Sequence, residues 1–298
     1  MRLTRLQVKS FLPKRPKTTH KGSFGRVLII AGSATMSGAG VLCTRAALQV
    51  GAGLTCLALP HSRQCVAAAA LPETLTLGLP QKEGKIASRA LAVLHQFTQA
   101  FNPSVILIGP GLSKALFILP FLQKNKYPAV LDADALNALA QKRDILPGLA
   151  RQFPLIITPH PGEMTRLCGK PVATDDKSRC ACAVDLAKQL GGGICVLKGY
   201  HTVITDGHTV YVNPTGGPAL AKAGSGDTLA GMIAGLWAQL GTVQGFDSSS
   251  ALRAAASGVY LHGLCGDLAA QKLTDRCVLA SDVAAQIPAG MKKILAAR

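Results

Sequence analysis

No acidic residue precedes Glu73, and the whole chain of 298 residues holds 15 Asp and Glu against 32 Lys and Arg. The resulting net charge of +17 favours an anionic partner: nucleic acid, an anionic surface or a phosphorylated small molecule. Aromatics are equally scarce, at 4%. There is no dense Lys/Arg block and no aromatic platform beside the basic residues, so no nucleic-acid partner is expected. The same scarcity makes the core aliphatic, drawn from an apolar content of 48%.

Other absences narrow the field. The uncharged runs 27–44 and 228–246 are broken by Gly, Ser, Thr or Gln, so no membrane span is expected. Leu12-Pro13-Lys14-Arg15-Pro16-Lys17 interrupts any signal-peptide core, and its prolines oppose the amphipathic helix of a transit peptide. None of the nine cysteines forms a CxxC pair, which points to reduced thiols and a cytoplasmic location. GxGxxG and GxSxG are both missing.

What is present is a repeating pattern. Val27–Ala31, Leu54–Leu59, Ser104–Ile108, Ala129–Leu131, Leu155–Ile157 and Ile194–Leu197 are short apolar runs of strand length, separated by helical stretches. Thr202–Thr205 and Thr209–Val212 around Asp206-Gly207 predict a hairpin. Residues 249–271 and 281–289 read as two helices, and residues 1–19 as a basic lead-in. The alternation predicts an α/β fold with a mostly parallel sheet covered on both faces, in one domain spanning 1–298. In such sheets ligands sit at the carboxyl ends of the strands. Every polar cluster falls there: 32–40, 109–113, 132–134, 158–163 and 198–202.

The stretch 213–241 is the centre of this organisation. Ala223, Gly224, Ser225 and Gly226 are followed at once by Asp227 and then by a helical pattern. Gly231 and Gly235 lie on a face where a neighbour can come close. A glycine loop feeding a helix N-terminus makes an anion hole suited to phosphate. An acid at its mouth is either a helix cap or a base that takes a proton from a hydroxyl during phosphoryl transfer. Asp132 and Asp134 are magnesium ligands through water or, for Asp134, a helix cap. His160 and Glu163 lack the rest of a zinc motif and read as a ligand-contacting loop. Lys198 is a phosphate partner or a solvated lysine.

Taken in order, HKGSFGRVLIIAGS at 20–33, SGAG at 37–40, GPGL at 109–112, LDADALNAL at 131–139, TPHPGEMTRL at 158–167, LKGYHT at 197–202 and NPTGGPALAKAGSGDTLAGMIAG at 213–235 resemble the ADP/ATP-dependent NAD(P)H-hydrate dehydratases. The resemblance implies a ribokinase-like three-layer αβα sandwich. It implies that a nucleotide, ADP rather than ATP, turns the ring hydroxyl of the S epimer of hydrated NADH or NADPH into a leaving group. Asp227 is then the candidate base and Ala223–Gly226 the anion hole. Lys198, Gly199, Tyr200, His201, Thr202, Gly217, Lys222 and Gly226 bind the nucleotide. Ala39, Gly111, His160, Glu163 and Asp227 bind the hydrate. Magnesium comes with the nucleotide, and no protein ligand set for it is assigned. A homo-oligomer, possibly a tetramer, and a separate epimerase are implied partners. Two departures stand out: Lys222 replaces a threonine before the hole, and Ser113 replaces a glycine after GPGL. The rival reading is a vitamin-precursor kinase of the same fold. A non-catalytic nucleotide- or nucleic-acid-binding protein is the rival from another class.

Overall fold

The computed structural model describes residues 1–113 and 117–297. Its strands, in chain order, are β1 (Arg26–Ile30), β2 (Leu54–Pro60), β3 (Leu75–Leu79), β4 (Gln81–Lys82), β5 (Lys85–Ile86), β6 (Val105–Ile108), β7 (Ala129–Leu131), β8 (Leu155–Ile157), β9 (Ile194–Leu197), β10 (Val203–Thr205) and β11 (Val210–Val212). Nine form one sheet in the order β11-β10-β9-β8-β7-β6-β1-β2-β3, with β4 and β5 as a separate small hairpin. Only β10 runs antiparallel to its sheet neighbours. The remaining pairings are parallel, as continuous apolar runs such as Val105–Ile108 require when both faces are covered.

Helices cover both faces. The first three are α1 (Arg5–Phe11), α2 (Ser37–Gln49) and α3 (Gln64–Ala70). Then come α4 (Ala90–Phe101), α5 (Ile118–Asn125), α6 (Asp134–Ala140), α7 (Pro161–Cys168) and α8 (Asp176–Gln189). The last are α9 (Ser225–Gln244), α10 (Ser248–Leu273), α11 (Ala280–Ala285) and α12 (Ile287–Leu295). Strand side chains alternate between two cores. Val27 and Ile29 join one with residues of α1–α3 and α9–α12, while Leu28 and Ile30 join the other with residues of α4–α8. This is the expected three-layer αβα sandwich with a mostly parallel sheet.

Several expectations need adjusting. The lead-in is built into the fold: Leu3 and Val8 are buried, and Arg2 bridges Val212 at the β11 edge. The stretch 281–289 is two helices, broken at Gln286-Ile287-Pro288, where proline opens α12. The helical stretch after β2 begins as a single 3₁₀ turn at His61–Arg63.

Helix α9 lies under the sheet's centre, packed between α2 and α10. Fifteen of its 20 residues are buried, so its polar mouth is held in place by its apolar length. The close approach rests on small residues. A Cβ at Gly235 would stand 2.6 Å from the Ala47 carbonyl oxygen, and one at Gly231 would strike the Cys43 carbonyl. Gly235→Ala is therefore expected to destabilise the protein by about 1–3 kcal/mol through overpacking. Alanine is intrinsically the better helix former by about 1 kcal/mol. A rise in Tm on thermal unfolding would show that the α2–α9 contact is not tight.

Candidate active site

The parallel register places the carboxyl ends of β1, β6, β7, β8 and β9 along one edge of the sheet. The mouth of α9 faces them. Gly224 precedes the helix with φ 84°, a left-handed turn that glycine adopts freely. The turn consumes one donor: the Ser225 N–H binds the Lys222 carbonyl at 3.2 Å. Among the described residues, the N–H groups of Ala223, Gly224, Gly226 and Asp227 find no backbone acceptor. Ser225 thus belongs to the hole by position, but its own N–H is committed.

A cavity of about 660 Å³ opens at this point. Lys198, Gly199, Tyr200, His201 and Thr202 line one side of it. Gly217, Lys222, Ser225 and Gly226 line another, and His160 stands at the rim. The 198–202 loop is braced from α8. Arg179 donates from Nη2 to the Leu197 and Lys198 carbonyls, each at 3.3 Å, and Asp176 Oδ2 lies 2.9 Å from His201 Nδ1. The α9 side is braced from α10: the Gly216 N–H donates to Asp267 at 3.0 Å. Lys222 departs from expectation. Its ammonium donates to the Arg276 carbonyl at 2.7 Å, so it is tied to the loop before α11 rather than offered to a phosphate.

Next to the hole lies a charge cluster. Lys198 Nζ is 2.6 Å from Asp132 Oδ1 and 3.8 Å from Glu163 Oε2. Thr158 donates to the same Asp132 oxygen at 2.8 Å. Burial works against the Lys198 charge, but Asp132 and Glu163 outweigh it and hold the ammonium above its ordinary value. The solvated-lysine reading is therefore wrong: Lys198 points inward, and a Cβ on Gly226 would sit 3.4 Å from its nitrogen. Asp227, in the first turn of α9, makes no hydrogen bond to the helix N–H groups among the described residues, unlike a cap. Burial first, then the neighbouring Asp132, pushes its carboxyl up to about 6, against the opposing pull of Lys198.

The other predicted residues fall into two groups. His160 caps α7: its Nδ1 accepts from Gly162 N at 3.0 Å and from Glu163 N at 3.4 Å, while Glu163 Oε2 accepts from His160 N at 2.8 Å. This capping box explains the HPGE sequence locally. It buries Glu163, whose carboxyl rises through burial, beneath Lys198 rather than in the cavity wall. Ala39 and Gly111 meet each other, a Cβ on Gly111 falling 2.9 Å from the Ala39 Cβ, outside that cavity. Asp134 does not cap its own helix. Its Oδ2 accepts from Ser113 N at 2.8 Å, fixing the loop after GPGL.

Several lining residues escaped the sequence reading, His262 the most polar of those on α10. His262, on α10, is 7% exposed, lines the cavity, and places Nε2 3.2 Å from Ser225 Oγ. Burial pushes its imidazole down to about 4, so it is neutral at physiological pH.

A glycine-rich helix mouth, a half-buried lysine and a raised carboxyl at the carboxyl edge of such a sheet mark a ribokinase-like fold. The chain belongs to the NAD(P)H-hydrate dehydratase family, whose model matches residues 27–289. It is 42% identical over 293 residues to the bifunctional NAD(P)H-hydrate repair enzyme Nnr of Moorella thermoacetica, covering 96% of this chain and 53% of that protein. The chain spans about half the length of the first such relatives. It is also 33% identical to the ADP-dependent (S)-NAD(P)H-hydrate dehydratase of Bacillus subtilis, covering 97% of each chain. Among solved structures, the Bacillus subtilis ADP/ATP-dependent NAD(P)H-hydrate dehydratase co-crystallized with ATP/Mg2+ superposes with a TM-score of 0.77 at 31% identity, over 98% of this chain and 97% of that one. A ribokinase-like superfamily protein of Enterococcus faecalis gives 0.79 at 28% identity, over 98% and 95%.

Proposed function

We propose that this protein dehydrates the S epimer of hydrated NADH or NADPH, using ADP as phosphoryl donor and releasing AMP and phosphate. The observation that carries the reading is the juxtaposition at the mouth of α9. Asp227, raised to about 6, stands one residue beyond the free N–H of Gly226, with Lys198 beside both. A base near neutrality suits proton removal from a hydroxyl, and the free N–H groups suit a transferring phosphoryl group.

In this reading Asp227 takes the proton of the ring hydroxyl as that oxygen attacks the terminal phosphorus of ADP. The bond from that phosphorus to AMP breaks, and AMP leaves. The ring nitrogen's lone pair then expels phosphate, a proton is lost, and the double bond of the reduced nicotinamide returns. Ala223, Gly224, Gly226 and Asp227 offer N–H groups to the phosphoryl oxygens, with Ser225 contributing its hydroxyl. The loop Lys198–Thr202, together with Gly217, holds the nucleotide. Ala39, Gly111 and the rim residue His160 receive the hydrate, and Glu163 serves from beneath through Lys198. Lys222 is left out of the donor set.

Magnesium fits the site only with the nucleotide. Among the described residues no three His, Cys, Asp or Glu side chains come together as a metal cage. Asp132 gives Oδ1 to Lys198 and Thr158, so its Oδ2 would be the oxygen left to hold a hydrated ion brought in by the phosphates. Such an ion neutralises phosphate charge when bound.

The chain is read as one domain, acting in the cytoplasm as a homo-oligomer. Nine free thiols fit a reducing compartment. The test is absorbance at the reduced-nicotinamide band with purified protein, magnesium, hydrated NADH and either ADP or ATP. A nucleotide-dependent rise is expected, faster with ADP. A flat trace with both from folded protein that binds nucleotide refutes the activity, and a stable phosphorylated product from a vitamin precursor would install the rival kinase.

A further inference from the structure

Ser225 opens α9 and is 6% exposed, with its hydroxyl at the helix mouth. Its side chain could have faced any anion directly; instead it lies 3.2 Å from His262 Nε2. A hydroxyl has one proton and two acceptor sites, so this bond has two forms. If the imidazole accepts, the serine proton is turned toward α10 and away from the cavity. If the imidazole donates, the serine proton is free to point at an anion above the helix.

The surroundings select between them. The ring is neutral, since burial outweighs the hydrogen bond to the Ser225 backbone that favours a cation, and a neutral imidazole carries a single N–H. An anionic oxygen at the helix mouth gains a hydroxyl donor beside the backbone N–H groups only in the form with that proton on Nε2, so a bound anion favours that form. The side chain is also well held. Gly263, the next residue on α10, lies against Thr215, whose hydroxyl donates to the Tyr260 carbonyl at 2.9 Å. Loop and helix therefore cannot drift apart without breaking a close contact.

We propose that His262 is a positioning residue for the phosphate group bound at the mouth of α9: it donates from Nε2 to Ser225 Oγ and thereby turns the serine hydroxyl into a phosphate donor. The proposal rests on the nucleotide-binding part of the function argued above and is independent of the dehydration step. It assigns His262 no proton transfer with the substrate.

The test compares ligands with and without phosphate. Binding of ADP, AMP and adenosine to the full chain is measured by calorimetry or competition at pH 7.5, for wild type, His262→Ala, Ser225→Ala, the double variant and His262→Gln. Loss of one buried hydrogen bond in the relay should weaken ADP roughly 5- to 20-fold. AMP, which lacks the terminal phosphoryl group received at the mouth of α9, and adenosine should be unaffected. The double variant should be no weaker than either single one, because both remove the same contact. Glutamine, whose amide nitrogen reaches about as far as Nε2, should restore most of the loss. Three results overturn the proposal: unchanged ADP binding in His262→Ala, losses that add in the double variant, or AMP and adenosine falling in step with ADP. The last is what a merely structural histidine would give. Should His262→Ala not fold, the Ser225→Ala and His262→Gln pair decides alone: the first must weaken ADP selectively over AMP and adenosine, and the second must not. Wild type that binds ADP but never dehydrates hydrated NADH refutes the proposed function and leaves this inference standing. Wild type that binds no nucleotide sinks this inference.

Discussion

Asp227→Asn is expected to lower turnover roughly 10²–10⁴-fold while leaving ADP binding within a small factor of wild type. The reason is that the substitution keeps the shape of the side chain and removes only its capacity to take a proton. The pH profile supplies a second check. The base must be ionised, so kcat/KM should rise with pH through about 6 and level off above it. Stability moves the other way. The carboxyl sits near 4 in an unfolded chain and at about 6 here, so the folded state binds the extra proton between those values. Stability is therefore greatest below that window and falls as pH rises through it. The asparagine variant escapes the loss. It should be more stable than wild type at pH 7.5, on the order of 1–2 kcal/mol after allowing for solvent at the carboxyl. An inactive variant that is also less stable would mean that Asp227 is a structural residue. A variant with near-full activity would remove it from the chemistry altogether.

Much of this site is legible in the sequence because strand ends are legible. Runs such as Val105–Ile108 and Ile194–Leu197 are apolar throughout and stop at glycine or lysine, so the polar clusters after them had to share one edge. The glycine loop before α9 is equally local, since Gly224 and the first turn of the helix make the hole by themselves. What stayed hidden depends on distances across the chain. Lys198 and Asp132 are 66 residues apart, and nothing short-range tells that one neutralises the other. His160 looked like a ligand-contacting side chain because HPGE has no hydrophobic pattern. Its Nδ1 and the Glu163 carboxylate also accept from each other's backbone N–H groups, a capping role beside the rim position. Lys222 looked free because its acceptor, the Arg276 carbonyl, lies 54 residues on. His262 did carry one signal. It shares a helix face with Val259 and Gly266, small and apolar residues among which a lone imidazole needs a partner. That the partner is Ser225 follows only once α10 is known to pack beside α9. Strand β3 and helices α1, α4, α5, α7 and α8 went unassigned, α7 because its HPGE start was read as a loop, α8 because its mean hydropathy is low and its buried residues include Arg179.

Lys198→Met is expected to be the most damaging substitution after that of Asp227, and for a different reason. Methionine fits the volume but leaves Asp132 and Glu163 buried with no cation. Removing one partner of a buried ion pair typically costs about 3–5 kcal/mol, because the orphaned charge stays behind. The site answers by taking up protons on Glu163 and Asp227, since the Asp132 carboxylate disfavours the charge on each. ADP affinity should fall roughly 100-fold, as phosphate then approaches carboxylates without the ammonium between them. The more telling readout is the acid limb of the pH profile. Lys198 lowers the Asp227 value and Asp132 raises it. The limb should therefore move above about 6 in Lys198→Met and below it in Asp132→Asn. Opposite displacements from two neighbours 2.6 Å apart are hard to obtain from general loosening of the fold, which would move both variants the same way. If both limbs stay in place while affinity falls, Lys198 serves the nucleotide alone. The proton-accepting group would then have to be sought outside the cluster at the mouth of α9.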